Sequence, residues 1–399
     1  MANILGISTG EIDLYRAQQA LSDFYNDNKK HQIVTPNPEI ILQAQKDEEL
    51  FYILNSADLS LADGFGLKIA AKLSNQSLKR LTGADFLLHI LQEAAKNKRR
   101  LLLINRRDGL STEEDLKNTL EKQYSKINPL IISCAKNTKP SNEDLEKARA
   151  FRPDLAICGF GAPEQEKYLF HLQKNLEYLP VAIGLGGAFD FLSGRMKRAP
   201  AAWRHLGLEW FWRLIQQPSR WRRIWRATVS FILALIYWRF ILPHRYRPNV
   251  AVMMYKKSDK GREIFIVERQ DQPGHWQLPQ GGLDGQNIIE AGTRELQEES
   301  GVKNFKIISS DRNLYRYDFC LDNGRDRRSG EIRHYGYKGQ RQSLVIAEFQ
   351  GKDEEIKINY WDHRAWRWIA EKDLLTSLHP CRQEAGKIYF QKIAKLNKN

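Results

Sequence analysis

The sequence predicts an α/β chain in two units, a mostly parallel sheet layered with helices followed by a smaller α+β unit. Three observations carry this. Up to about residue 190, short apolar runs alternate with amphipathic stretches, a pattern that builds right-handed β-α-β crossovers. From about residue 246 the texture changes to strand-like runs separated by polar turns. The length of 399 residues also exceeds what one core usually organises.

Taken in order, the strand-like runs of the first unit are NILGIS (3–8), HQIVTP (31–36), LSLAD (59–63), RRLLLIN (99–105), PLIISCA (129–135), LAICGFG (155–161) and VAIGLG (181–186). Helical periodicity fills the gaps, in LYRAQQALSDFYND (14–27), EIILQAQKDEELFYIL (39–54), GADFLLHILQEAAKNK (83–98) and SNEDLEKARAF (141–151). Such a sheet places ligand loops at the carboxyl ends of its strands. In the second unit NVAVMMY (249–255), EIFIVER (263–269), FKIIS (305–309), SLVIAEF (343–349) and IKIN (356–359) read as strands. A helix is predicted over about 289–300, and another after Pro380. The domain division is 1–194, then a basic, Trp-rich stretch over 195–245, then 246–399.

The formal charge is +14, from 62 Lys and Arg against 48 Asp and Glu. Twelve of the basic residues, opposed only by Glu209, fall within 195–247, so eleven of the fourteen surplus charges sit there. Six of the ten tryptophans share the stretch. A charge so placed implies an anionic partner, whether nucleic acid, phosphate-bearing substrate or membrane surface. The four cysteines form no CxxC pair, which disfavours a disulfide scaffold or zinc ribbon and fits a reducing cytosol. The N-terminus has neither a basic n-region nor an apolar h-region. VSFILALIYW (229–238) is about half the length of a spanning helix before Arg239 interrupts it. It reads as an interfacial or domain-packing helix.

In PQGGLDGQNIIEAGTRELQEESGV (279–302), Glu295, Glu298 and Glu299 stand at helical i, i+3 and i+4, so their carboxylates converge. Clustered carboxylates invite a hard cation, Mg²⁺ or Mn²⁺, which also binds substrate phosphate. Gly281 and Gly282 allow a tight turn beside it. A solvated acidic helix face is the alternative reading of ELQEE alone. With the glycines, Arg294 and Gly301-Val302, the segment resembles a Nudix box. The resemblance implies an α/β/α sandwich that hydrolyses nucleoside diphosphates linked to another moiety. It implies Glu298 and Glu299 as metal ligands, Glu295 as ligand or water-activating base, and Arg294 as brace of the loop. YRPNV (246–250), HWQLPQGG (275–282), GQRQ (339–342) and WRW (366–368) resemble the RNA pyrophosphohydrolase and dinucleoside polyphosphate hydrolase branch. That branch implies a further acidic ligand near Glu355, with Glu354 the alternative.

In the first unit, Asp63 of LADGFG (61–66) ends a strand where parallel sheets face ligand. Its carboxylate could take a proton from a sugar hydroxyl or cap the next helix. Thr35 and Asn37 of VTPNPE (34–39) have the same two readings. GFGAPEQE (159–166) and GLGGAFDFLSG (184–194) are glycine-rich turns that let phosphate approach backbone N–H groups. With LTGADF (81–86), GRMKRAP (194–200) and the LGLEWFWRLIQQPSRWRR stretch, these motifs resemble the WecG/TagA/CpsF glycosyltransferase family over about 2–226. The resemblance implies a Rossmann-like unit with a basic helical appendage. It implies inverting transfer of an N-acetylaminosugar of the N-acetylmannosamine type from UDP to N-acetylglucosamine on undecaprenyl diphosphate. No cofactor is implied for this unit, and none of its strings reads DxD. Asp63 would be the general base, with Thr35 and Asn37 in the same pocket. Gln165 and Glu166 would touch the donor, and Gly186 and Gly187 would lie near its diphosphate. Arg195, Arg198, Arg204 and Arg213 would face substrate and lipid phosphates, holding the protein peripherally on the inner face of the membrane.

Two other readings stand beside this one. One makes the second unit dominant, an RNA 5′-end or dinucleotide hydrolase whose basic stripe binds RNA. The other takes Gln286 and the Arg106-Arg107 pair as departures from the two families' patterns and reads a sugar-nucleotide sensor or scaffold.

Overall fold

The computed structural model describes residues 2–205, 207–259, 261–319 and 336–396, without the side chains of Ala201, His205, Arg213, Arg220 and Arg223. The chain divides into two compact units, Met1–Tyr237 and Trp238–Asn399.

In the first unit the strands are β1 (Ala2–Ile4), β2 (Ile7–Thr9), β3 (His31–Val34), β4 (Leu59–Ser60), β5 (Leu101–Arg106), β6 (Leu130–Cys134), β7 (Leu155–Cys158) and β8 (Val181–Gly184). Six form one sheet in the order β4-β3-β8-β7-β5-β6, and each adjacent pair is parallel. Alternate residues of β5 feed opposite cores. Leu101 and Leu103 join the cluster that includes the helix Gly83–Asn97, and Leu102 and Ile104 join the one that includes Leu169 and Leu172 of the helix Glu164–Asn175. Two-sided burial explains why these strands read as unbroken apolar runs.

Local signals set the helix boundaries. Thr112 and Ser141 close capping boxes with Asp115 and Asp144. Two expectations are corrected. NILGIS is not a strand of the main sheet: Leu5 and Gly6 take positive φ and fold it into the antiparallel β1–β2 hairpin. The periodic stretch 39–54 is two helices, Pro38–Ala44 and Glu48–Ser56. They divide because Asp47 caps the second by accepting from the Leu50 N–H.

The basic stretch forms short helices, among them Ala201–His205, Glu209–Gln216 and Trp221–Trp225. A helix over Arg226–His244 follows, 19 residues with a mean hydropathy of 1.4 and little of its surface buried. The interruption at Arg239 does not end it, and by length and composition alone it is long and apolar enough to cross a membrane. Trp221, Trp225, Leu233 and Phe240 are each more than half exposed along it and just before it, while Phe231 is buried.

The second unit holds β9 (Tyr246–Ser258), β10 (Gly261–Arg269), β11 (Trp276–Gln277), β12 (Gln280–Gly282), β13 (Phe305–Asp318), β14 (Gly339–Phe349) and β15 (His363–Ala370). They make a mixed sheet, β11-β10-β9-β14-β13, with β12 on β9 and β15 on β10. β9 and β14 are parallel, the other pairs antiparallel. The two-residue period of β9 decides the layers. Val250, Val252 and Met254 pack with Ala291 and Leu296 of the helix Ile288–Ser300, and Ala251, Met253 and Tyr255 pack with Tyr389 and Ile393 of the helix Gln383–Lys395. The result is the helix–sheet–helix sandwich that the sequence predicted. IKIN makes no ladder: Ile356 instead caps one core, and the strand WRW belongs to is β15.

Leu103→Ala empties a fully buried site in β5, so the first unit should lose about 2–5 kcal/mol of stability. Chemical denaturation with a probe in that unit checks this, and its midpoint should fall while that of the second unit stays in place.

Candidate active sites

At the carboxyl ends of β3, β4, β7 and β8 lies an open cleft lined by Thr35, Asn37, Asp63, Thr82, Gly161, Gln165, Gly186, Gly187 and Glu209, among others. The position is where parallel sheets bind ligands. Each wall has a local cause. Thr35 follows β3 and donates its hydroxyl to the Gly184 carbonyl at 2.9 Å, tying β3 to the end of β8. Asn37 is the N-cap of the helix Pro38–Ala44, its Oδ1 accepting from the N–H groups of Glu39 and Ile40. Asp63 is held by its own N–H, which donates to the Pro36 carbonyl at 2.9 Å. It is not the N-cap of the next helix: that place belongs to Gly64, at φ 108° and with no side-chain cap.

Gln165 organises the two glycine turns. Its Oε1 accepts from the Gly161 and Gly186 N–H groups, both at 2.9 Å, and its Nε2 donates to Glu166 Oε1 at 2.7 Å. A Cβ on Gly184 would stand 2.6 Å from that Nε2, so the turn needs glycine there. The Gly186 N–H, expected to face a diphosphate, is thereby turned to Gln165. Glu166 is absent from the cleft lining and lies beneath it, fully buried, where burial pushes its carboxyl up to about 7 against the opposing hydrogen bond from Gln165.

The arginines divide. Arg195 makes a two-bond pair with Asp115, at 2.7 and 2.9 Å, which holds that carboxyl well below its ordinary range. Arg198 and Arg204 converge on Asp85 at 2.6 and 3.7 Å. Burial pushes the Asp85 carboxyl up, but the hydrogen bonds from Arg198 and Thr82 keep it below the usual carboxylate range. The side chain of Arg213 lies outside the described residues. Two groups that sequence reasoning passed over also shape the site. Arg80 donates to Glu209 Oε2 at 3.0 Å and to the Arg204 carbonyl at 3.0 Å, so the lone acid of the basic stretch is a wall of the cleft. Its isolation among twelve cations was the available signal. Arg106, flagged as a departure, pairs with Asp108 at 2.7 Å on the turn after β5.

In the second unit Arg294 is the hub. Its guanidinium reaches Glu295 at 2.8 Å, Glu298 at 2.9 Å, the Gly282 carbonyl at 2.7 Å and Asp284 at 3.2 Å, while its Nε donates to Gln286 at 2.9 Å. Gln286 thus braces the turn through Arg294. Glu295 and Glu299 are buried and Glu298 is half exposed. Glu299 accepts from the Gln280 N–H at 3.1 Å and lies 3.0 Å from His363 Nε2. A Cβ on Gly281 would sit 1.9 Å from the Glu295 carboxyl, which explains the first glycine of the pair. Behind the turn, Gln342 donates to Asn249 and Gln280 and accepts from Tyr389. Glu355 closes its own turn by accepting from the Lys352 N–H at 3.0 Å. Glu295, Glu298 and Glu299 thus share one helix, with Arg294 against the first two and His363 beside the third; their oxygens are the donor type a hard divalent ion prefers.

A cleft at the carboxyl ends of a parallel sheet and a carboxylate-bearing helix on a mixed sheet accompany matches to two enzyme classes, a glycosyltransferase and a Nudix hydrolase. Residues 2–245 match the glycosyl transferase WecG/TagA/CpsF family, and the chain belongs to that family; residues 245–391 match the NUDIX domain. The N-acetylglucosaminyldiphosphoundecaprenol N-acetyl-beta-D-mannosaminyltransferase of Bacillus subtilis is 35% identical over 208 residues, covering 51% of this chain and 79% of that protein. Its counterpart from Bacillus spizizenii is 33% identical over 50% of this chain and 77% of that protein. The RNA pyrophosphohydrolase of Wolbachia pipientis subsp. Culex pipiens is 33% identical over 163 residues, 38% of this chain and 92% of that protein.

Two outcomes follow from the geometry. Glu166 has its carboxyl pKa raised in the fold from 4.5 to about 7, so the folded state holds a proton that the unfolded state loses first. Its contribution to stability should be whole below about pH 4.5 and lost as pH rises towards 7; Glu166→Gln should remove that slope from melting temperatures measured across this window. Gly281→Ala should push Glu295 aside and slow hydrolysis on the order of a hundredfold, while sugar transfer by the same protein keeps its rate.

Proposed function

We propose that the first unit transfers an N-acetylmannosamine-type sugar, with inversion, from a UDP-sugar to N-acetylglucosamine carried on undecaprenyl diphosphate. The observation that carries this reading is the single cleft that gathers Thr35, Asn37, Asp63, Gln165, Gly186 and Gly187. The activity of the Bacillus relatives supports the donor and acceptor. Asp63 accepts the proton of the acceptor hydroxyl as its oxygen bonds to the anomeric carbon, and UDP leaves from the opposite face. Thr35 and Asn37 fix the floor, Gln165 holds the glycine turns against the donor, and Arg198 and Arg204 offset the charge of the departing diphosphate. No cofactor enters this step.

The second unit, on this reading, hydrolyses a nucleoside diphosphate derivative. Glu295, Glu298 and Glu299 would hold a Mg²⁺ or Mn²⁺ ion, which when bound neutralises phosphate charge, and Glu355 is the further acidic candidate. Arg294 orients Glu295 and Glu298, and Glu295 takes the proton of the attacking water. The Wolbachia relative, an RNA pyrophosphohydrolase, supports RNA as an alternative substrate of this unit. The division 1–194, 195–245 and 246–399 then separates transfer core, membrane-facing appendage and hydrolase. With its basic residues and exposed Trp221 and Trp225, the appendage keeps the protein on the cytoplasmic face of the membrane.

The test supplies UDP-N-acetylmannosamine and lipid-linked N-acetylglucosamine, with and without Mg²⁺, and follows UDP and phosphate release separately. Asp63→Asn should cut transfer by about 10²–10⁴-fold and spare hydrolysis, and Glu298→Gln should do the reverse. Near-full transfer by Asp63→Asn refutes the base assignment. Release from membranes by salt or mild detergent supports the peripheral reading, and co-purifying RNA supports an RNA-binding stripe instead.

A further inference from the structure

The second unit contains a cluster that neither activity uses. His275, His379 and Cys381 offer ligand atoms that all lie within 4.8 Å of one another, the group of this kind found among the described residues. The residues come from distant places. His275 directly precedes β11, and its carbonyl accepts from the Arg269 N–H at 3.1 Å. His379 and Cys381 stand at the turn Pro380–Arg382 before the C-terminal helix, and the His379 N–H donates to the Trp276 carbonyl at 3.0 Å. The two imidazoles stack with centroids 4.1 Å apart, and His379 Nδ1 lies 3.0 Å from Cys381 Sγ.

One atom makes the cluster a site rather than a coincidence. His275 is 4% exposed, and its Nε2 is buried with no hydrogen-bond partner. The other nitrogen, Nδ1, lies 2.8 Å from Gln272 Oε1. An amide oxygen can only accept, so Nδ1 carries the proton and Nε2 presents a bare lone pair. Leaving such an atom buried is costly unless something binds it. A metal-ligating histidine fixed by an oxygen behind its second nitrogen has this arrangement.

We propose that His275, His379 and Cys381 bind a borderline transition ion, Zn²⁺ in the first instance, at a site separate from the glutamate cluster. Two imidazoles and a thiolate suit Zn²⁺ and disfavour Mg²⁺, which prefers oxygen. Zn–N and Zn–S bonds of about 2.0–2.3 Å let one ion span gaps up to roughly 4.5 Å, so a small inward turn of the exposed Cys381 completes the set. Binding releases the thiol proton to solvent, and a water fills the fourth position. The ion would pin β11, which leads directly into Pro279 and the Gly281-Gly282 turn, to the segment before the C-terminal helix. It is therefore a structural tie behind the hydrolase site.

The experiment uses the full-length protein, stripped with chelator and held in excess Mg²⁺ so that the carboxylates are occupied. Co²⁺ serves as the spectroscopic probe and Zn²⁺ as its competitor. One equivalent of Co²⁺ should give a thiolate-to-metal charge-transfer band that one equivalent of Zn²⁺ abolishes. Cys381→Ser should lose the band, Cys134→Ser should keep it, and Gln272→Ala should weaken Zn²⁺ binding by about tenfold. His379→Ala, at a half-exposed position, tests the second ligand without emptying the core. Absence of the band in the wild-type protein, or its survival in Cys381→Ser, overturns the proposal.

Discussion

One side-chain amide holds the transferase cleft open. The turns after β7 and β8 are glycine-rich and have no side chains with which to fix each other. Gln165 supplies the missing link by accepting from both Gly161 and Gly186, and buried Glu166 fixes which end of the amide faces the turns. The cleft floor follows from that pair: Thr35 fastens β3 to the carbonyl of Gly184, the residue against which Gln165 packs. Burial raises the Glu166 carboxyl pKa, which lowers the cost of placing an acid under a site expected to attract anions.

The second unit solves a related problem with the opposite charge. Three glutamates on one helix would repel one another, and Arg294 pairs with two of them while the third, Glu299, accepts from the Gln280 N–H. The arginine also reaches the Gly282 carbonyl, so the box turn and the catalytic helix move as one piece. In both units a polar side chain from the helix locks the glycine turn at its head.

Much of this was legible. The continuous apolar runs of β5, β7 and β8 announced a doubly covered parallel sheet, and the glutamate spacing of 295–299 announced one helix face. The parts that were hidden share a cause: they depend on contacts between residues far apart in sequence. No local pattern ties Arg80 to Glu209, or shows that Gln165 and Glu166, both polar and adjacent on a helix, are both buried. NILGIS misled because a left-handed Leu5 is rare enough that periodicity gives no hint of it. The stretch 39–54 misled because its apolar periodicity runs through the break at Asp47. His275, His379 and Cys381 gave no signal because their spacing matches no ligand motif and only the fold brings them together.

The ion pair between Arg80 and Glu209 bears on how the basic stretch can be regarded. Arg80 is only 20% exposed and Glu209 10%, and their contact joins the body of the sheet unit to the appendage. The appendage is therefore masonry as much as anchor. A chain ending at residue 194 would lose a wall of its own cleft and strand a largely buried cation, so the part that gives the protein its charge is inseparable from the part that gives it a pocket.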